Sequence, residues 1–218
     1  VGVMSIGIVS LGHGEKNILI GVTKNKKGKV RYAAEKMDAK TSEEMERAIR
    51  SMILNFEYLY KCEIIQRIKC DKESGVGALK ENLENKWIKL TTNTGHDPAG
   101  NGMAEVGVRV VAKAAKPLLS RYSDDTRKQL WQDAMVHAAR RLNMRETCEE
   151  DSIGGNDMMP FMSKGLARVP KDKSEKLKED AKEVLYLYPS ADVAKASEVV
   201  EYEEGNNEIR LGRRFQTR

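Results

Sequence analysis

The sequence predicts an α/β protein, in which five strands and their helices precede a smaller β-rich module. The first observation is the order of β-prone and helix-prone segments up to Leu119, which is β-β-β-α-β-α-β-α. The second is a glycine-containing stretch at 144–159 with little hydrophobic periodicity, typical of a linker. The third is a return of β-prone segments beyond it. We therefore expect a larger domain over 1–143, a linker over 144–159, and a small, mainly β C-terminal module over 160–218.

The first three strands are predicted from apolar, β-branched runs separated by turn residues. Val1 to Leu11 is mainly apolar, Asn17 to Thr23 reads NILIGVT, and Lys29 to Glu35 follows the turn Asn25-Lys26-Lys27-Gly28. The connections are short, so we expect the three strands to be antiparallel.

The first helix is predicted from a capping box and a one-sided apolar pattern. Thr41-Ser42-Glu43-Glu44 supplies the box, and the helix should run to about Phe56 and pack on the sheet. The apolar residues at helical spacing are Met45, Ala48, Ile49, Met52 and Ile53.

The next segments are predicted as a strand, a short helix and a strand, over Glu63 to Cys70, Gly75 to Glu84 and Lys86 to Thr91. Ser123-Asp124-Asp125-Thr126 can cap a later helix with one apolar face. That face would contain Leu130, Trp131, Ala134, Met135, Ala138 and Leu142, which makes Trp131 a core residue rather than a ligand-stacking ring.

Composition limits the possible partners without choosing one. With 218 residues and 40% hydrophobic content the chain can form a real core, and a net charge of +5 permits nucleic acid without requiring it. Three cysteines without C-x-x-C spacing and three scattered histidines predict reduced thiols and no structural zinc. No apolar run reaches the roughly 18 residues of a membrane span, and no basic leader precedes the apolar start. We expect an intracellular protein with no membrane partner.

One stretch carries the candidate chemistry, His96-Asp97-Pro98-Ala99-Gly100-Asn101-Gly102-Met103-Ala104-Glu105. It predicts a turn-rich approach to a long helix, with Glu105 in the first helical turn. Arg109, Lys113 and Lys116 follow at steps of four, four and three, so an acid and three cations share one helix face. A carboxylate at the head of a cationic stripe suits a metal site beside a phosphate backbone. The alternative is a solvated helix with a Glu105–Arg109 pair contributing about 0.2–0.5 kcal/mol.

The same stretch resembles a known family. Its pattern aromatic-x-Pro-x-x-Asn-Gly-x-x-Glu, with His96 in the aromatic position, is similar to the last-carboxylate motif of retroviral-type integrases, particularly those of copia-type retrotransposons. Asp71 ends a predicted strand 34 positions before Glu105 (105 minus 71), which matches the second carboxylate of that family. His137 to Asn143 resembles the helix after the catalytic glutamate, and the C-terminal segment matches more loosely, with Tyr188-Pro189 replacing a glycine-tyrosine pair.

The resemblance implies a fold, a chemistry and a defect. It implies a ribonuclease-H-like, five-stranded mixed sheet flanked by helices, and DNA integration by polynucleotidyl transfer with Mg²⁺ or Mn²⁺ held by three carboxylates. Asp71 and Glu105 would be catalytic and metal-binding, but the first-carboxylate position falls on Gly7, which has no ligating side chain. Either the metal site is impaired, or a nearby acid such as Glu15 or Asp38 completes it. Whether the chain is an enzyme stays open at this point.

The partners follow from the same resemblance. DNA is the implied partner, a homo-oligomer and a nuclear location are implied by the family's activity, and the apolar start suggests a fragment of a longer polyprotein. The candidate nucleic-acid-binding residues are Arg109, Lys113, Lys116, Arg140 and Arg141. A second reading is a non-catalytic nucleic-acid-binding or assembly module that retains the integrase fold, and a third is an α/β protein unrelated to DNA.

Overall fold

The larger part of the chain folds around one mixed sheet. The computed structural model describes residues 2–10, 16–71, 79–93, 98–145, 158–168, 181–190, 196–205 and 208–217. The sheet contains β1 (Gly2–Ser10), β2 (Asn17–Lys24), β3 (Val30–Met37), β4 (Ile65–Asp71) and β5 (Lys89–Asn93), in the order β3-β2-β1-β4-β5. β1, β2 and β3 pair antiparallel, whereas β1, β4 and β5 pair parallel. This mixed, helix-flanked sheet confirms the predicted ribonuclease-H-like fold class.

One face of the sheet is covered by α1 (Ser42–Leu54), which continues into a π-helical turn at Asn55–Leu59. The Oγ1 of Thr41 accepts a hydrogen bond of 3.3 Å from the backbone N–H of Glu44, so the predicted N-cap is confirmed. The buried side chains of α1 meet strand residues such as Met4, Ile6 and Ile68 in one apolar cluster. The helix therefore buries the face that its spacing predicts.

The opposite face is covered by the long helix α3 (Pro98–Leu119). A Cβ added at Gly107 would lie 2.1 Å from Cγ2 of Val22, so α3 and β2 approach too closely there for any side chain. The prediction that Glu105 lies in the first helical turn is wrong, because the helix already begins at Pro98 and Glu105 lies two turns further in. Proline suits a first helical position, since its missing N–H would have no partner within the helix.

The next helix, α4 (Asp124–Arg145), begins where the sequence predicts. Ser123 accepts a hydrogen bond of 3.4 Å at Oγ from the backbone N–H of Thr126. The prediction of a single apolar face is wrong, because every residue from 130 to 139 is buried. The helix lies between α3 and β3 on one side and the C-terminal strands on the other. Trp131 is 7% exposed in this core, as predicted.

The C-terminal module is a second, antiparallel sheet. Its strands are β6 (Lys164–Arg168), β7 (Ala181–Pro189), β8 (Ser197–Gly205) and β9 (Glu208–Thr217), paired in chain order. The apolar cluster that it shares with α4 includes Leu130, Ala134, Met135, Ala138, Leu185, Leu187 and Val200. The predicted mainly β character is confirmed. Most of the predicted linker and the charge-dense stretch after Val169 lie outside the described residues.

The edge of the larger sheet is closed by a side chain of α4. β3 is the outer strand, and Asn143 accepts from the backbone N–H of Tyr32 at 2.9 Å and donates to its carbonyl oxygen at 2.7 Å. Asn143 thus takes the place of a neighbouring strand at one residue, which protects an otherwise open edge.

The segment before β5 differs from its predicted bounds. The described helix there, α2, covers only Lys80–Glu84, and the earlier part of the predicted helix includes residues outside the described ranges. The predicted strand start at Lys86 is wrong, because residues 85–87 form a turn in which the N–H groups of Lys86 and Trp87 bond to Leu83 and Glu84 carbonyls. β5 consequently begins at Lys89.

Two of the three cysteines that the sequence predicts to be reduced lie within the described residues. Cys62 and Cys70 are buried and form no disulfide bond within the described residues, and burial raises the pKa of the Cys62 thiol to about 11. Cys148 lies outside the described residues. Across the described chain, no helix is both long enough and apolar enough to cross a membrane.

Candidate functional site

Gly7 and Asp71 lie on the same face of the sheet, on neighbouring strands. The parallel register pairs Met4 with Ile68 and Ser5 with Lys69, and two further residues along each strand bring Gly7 level with Asp71. Ile68 and Cys70 belong to the cluster under α1, so alternation directs Asp71 to the face that α3 covers. Neighbouring strands lie about 4.8 Å apart. The sheet therefore places Gly7 where a carboxylate beside Asp71 would have to begin.

Glu105, the third predicted site residue, lies on α3, which crosses the sheet close to Gly7. A Cβ added at Gly7 would lie 3.8 Å from the Cβ of Ala104, the residue before Glu105. Glu105 itself is exposed, and Asp71 is exposed at the end of β4. The fold thus puts Asp71 on the sheet face that α3 covers, and Glu105 on α3 itself, one residue after Ala104. His96 and Asp97, which open the motif, lie outside the described residues.

The space in front of Gly7 is filled by aliphatic side chains. The same added Cβ would lie only 3.2 Å from Cγ2 of Val108, which is closer than ordinary van der Waals contact. No group of three or more potential ligands among the described His, Cys, Asp and Glu residues could hold a metal ion. A two-ion site needs converging oxygen ligands, and here methyl groups occupy the place of one of them. The residues that the structure describes do not fit the two-ion centre that the resemblance implies.

The alternative acids do not repair this site in the described structure. Asp38 follows β3, and β2 and β1 separate β3 from β4 in the sheet. Three strand spacings of about 4.8 Å put it roughly 14 Å from β4, far beyond the reach of a shared ion. The suggestion that Asp38 completes the site is therefore wrong. Glu15 lies outside the described residues.

The outer side of α3 presents the predicted charged stripe. Glu105, Arg109, Lys113 and Lys116 are all exposed, while Ala104, Val111 and Ala115 are buried on the inner side. Within the described part of the chain none of the four charged residues forms an ion pair, so the alternative Glu105–Arg109 pair is not formed. At 1.5 Å per residue, Arg109 to Lys116 spans about 10 Å, which matches the rise of about three nucleotides at 3.4 Å each. The stripe can contact consecutive phosphates.

The two arginines predicted on α4 lie in different environments. Arg141 is exposed, whereas Arg140 is half-buried with its Cζ 5.0 Å from the centroid of the Tyr188 ring. Arg140 therefore faces the C-terminal sheet. Nearby, the Nδ1 of His137 lies 2.7 Å from the Leu187 carbonyl oxygen, which can only accept, so Nδ1 carries the hydrogen.

A basic cavity lies where α1, β3, α4 and the C-terminal sheet meet, and sequence reasoning missed it. Its volume is about 320 Å³. The cations that line it are Lys16, Lys36, Arg47, Arg140 and Arg214. Beside it is Asp133, which is 0% exposed and lies 2.9 Å from both Lys36 Nζ and Arg214 Nη2. The only sequence signal was one aspartate inside an apolar helical run.

The buried carboxylate keeps the cavity's lysine charged. Burial acts to lower the pKa of Lys36, but the negative charge of Asp133 and the neighbouring Tyr188 outweigh it and hold that pKa above its usual value. Lys36 consequently remains an ammonium ion at neutral pH.

Comparison with known proteins finds similarity to solved structures only. No protein-family model and no curated protein matches the chain. A crystal structure of the catalytic core domain of BIV integrase aligns with a TM-score of 0.47 and 16% identity, over 70% of this chain and 88% of that one. At this identity no side-chain role is carried over from that structure.

Proposed function

We propose that this chain is an integrase-like, nucleic-acid-binding protein that contacts DNA phosphates through α3 and has an impaired metal site. The observation that carries the proposal is the exposed stripe of Arg109, Lys113 and Lys116, free of acidic partners among the described residues. Its helix is fixed over the sheet by buried residues, so the charges are held on a rigid support. Phosphate contacts of this kind supply affinity without reading sequence.

The metal site is proposed to be weak for a structural reason. Asp71 and Glu105 remain as two candidate ligands, while Val108 and Ala104 occupy the space in front of Gly7. Mg²⁺ keeps most of its waters and needs well-placed carboxylates, so we expect at most one weakly held Mg²⁺ or Mn²⁺. Loss of a positioned second ion costs on the order of a thousandfold in rate. The copia-type origin, a nuclear location and a homo-oligomeric state belong to the same proposal.

The test of DNA binding is its salt dependence. Arg109→Ala combined with Lys113→Ala should weaken binding to unrelated duplexes equally. The slope of log affinity against log salt should also become shallower, by about 0.9 for each phosphate that the protein no longer neutralises. Fluorescence anisotropy between about 50 and 200 mM salt measures both quantities.

The matched control is Arg50→Ala with Lys80→Ala. These residues lie on α1 and α2, which cover the opposite face of the sheet, and their removal changes the net charge by the same amount. The control should leave the slope nearly unchanged. An equal effect of the two double variants would reject α3 as the binding surface.

Residual catalysis is the second candidate, favoured by the position of Asp71 on the sheet face that α3, the helix carrying Glu105, covers. Strand transfer with Mg²⁺ or Mn²⁺ should be close to background in the parent chain. Robust transfer that Asp71→Asn abolishes would show instead that another group completes the site.

A further inference from the structure

The basic cavity holds more positive charge than its described acids neutralise. Asp133 is shared between Lys36 and Arg214 at 2.9 Å from each. Arg47 is engaged by Glu44 at 2.8 Å and by the carbonyl of Lys36 at 2.7 Å.

The remaining charges leave two cations without a carboxylate. Two acids line the cavity: Glu35 accepts hydrogen bonds from Ser51 and Asn55, and the negative charge of Asp38 acts on Arg47. Arg140 has the Tyr188 ring as its neighbour, and no ion pair is formed by Arg140 or by Lys16 within the described ranges. A cavity lined by cations that have no carboxylate partner can attract an anion.

The shape and chemistry of the cavity select the kind of anion. Its volume of about 320 Å³ admits a small group but not the side of a duplex. The Tyr188 ring already has Lys36 Nζ at 5.3 Å and Arg140 Cζ at 5.0 Å from its centroid, so it is not open for a base to stack on. Arginine forks bind phosphate oxygens in pairs, and Arg140 and Arg214 both line the cavity.

We propose that this cavity binds a terminal phosphate or a pyrophosphate group, either of a free anion or of the phosphorylated end of a nucleic-acid strand. The site is formed by different residues from the α3 stripe. Failure of phosphate binding would therefore leave the proposal for DNA binding intact, and the two can fail separately.

The experiment uses pyrophosphate with the full chain and the paired variants Arg140→Gln and Arg141→Gln. Both remove one arginine from neighbouring positions of α4, but only Arg140 lines the cavity. Titration calorimetry should show pyrophosphate binding that Arg140→Gln weakens by about tenfold or more, the effect of one charge-assisted contact. Arg141→Gln should stay within about twofold of the parent.

A second variant and a second readout protect the test from misfolding. Lys16→Gln removes an exposed cation at the cavity mouth and should also weaken binding, with an unchanged circular dichroism spectrum. Pyrophosphate should raise the melting temperature of the parent more than sulfate at equal ionic strength. Absence of pyrophosphate binding, or equal weakening in Arg140→Gln and Arg141→Gln, would overturn the proposal.

The source of the phosphate is distinguished with short single strands. A 5′-phosphorylated oligonucleotide that binds more tightly than its unphosphorylated form, and that pyrophosphate displaces, identifies a strand end as the ligand. Equal binding of the two oligonucleotides, with pyrophosphate binding retained, identifies a free anion.

Discussion

Replacing Gly7 tests whether the missing carboxylate can simply be put back. The register favours Gly7→Asp, because it would place a carboxylate level with Asp71. The packing opposes it, because the new Cβ would lie 3.2 Å from Cγ2 of Val108 and the carboxylate would extend under α3. Overpacking of this kind costs about 1–3 kcal/mol, which lowers the melting temperature by about 2–4 °C per kcal/mol in a chain of this size.

Two further variants distinguish the effect of the added volume in Gly7→Asp from the effect of its added charge. Gly7→Ala adds only the Cβ, and its tight contact is offset by the reduced freedom of the unfolded chain, so its effect should stay within about 1 kcal/mol. Val108→Ala removes the close methyl group and should recover part of the stability that Gly7→Asp costs. The coupling in this double-mutant cycle should be about 0.5–3 kcal/mol.

The assay is thermal unfolding, with and without Mn²⁺, of the parent, the three single variants and the combined Gly7→Asp and Val108→Ala variant. If three carboxylates then surround one ion, Mn²⁺ should raise the melting temperature of the combined Gly7→Asp and Val108→Ala variant more than that of the parent. A Gly7→Asp variant as stable as the parent, with no coupling to Val108→Ala, would refute the described packing of α3 over β1.

Two other predictions concern buried polar side chains of α4. Asn143→Ala should lower the free energy of unfolding by about 1–3 kcal/mol and speed amide exchange at Tyr32, since both backbone groups of that residue lose their partner; unchanged exchange would contradict the proposed closure of the edge. Burial, despite the bond to Leu187, lowers the pKa of His137 to about 4 from 6.5, so its folded form resists protonation. Stability should be complete above about pH 6.5 and decline by about 3 kcal/mol as the pH falls towards 4, and His137→Gln should flatten this part of a pH series of melting curves.

Local sequence signals predicted the elements that depend on local interactions. The start of α1 could be predicted from Thr41, and its packing from the spacing of its own apolar residues, because a helix that meets a single surface needs a single apolar face. The apolar run of β1 likewise predicted a strand. The same reasoning wrongly predicted a single apolar face for α4, because a second surface that covers this helix comes from β7 and β9, far along the chain.

The sequence predicted that Asp71 ends a strand, and the register of the sheet brings Gly7 level with it. The roles of Asp71 and Glu105 as metal ligands stay predictions. No sequence pattern showed that Val108 would close the space in front of Gly7, since that depends on how α3 is rotated over β1. The basic cavity could not be predicted for a related reason, because its cations come from four separate elements and from Lys16, which precedes β2.

The burial of α4 all round its axis at residues 130–139 has a consequence for how the chain unfolds. Removing either sheet would expose a row of apolar side chains on this helix, together with Asn143 on one side or His137 on the other. Unfolding of one sheet alone would therefore leave part of α4 exposed to water and lower the free energy of unfolding of the other sheet. The two sheets should behave as a single cooperative unit and give one calorimetric transition, with α4 as the element that couples them.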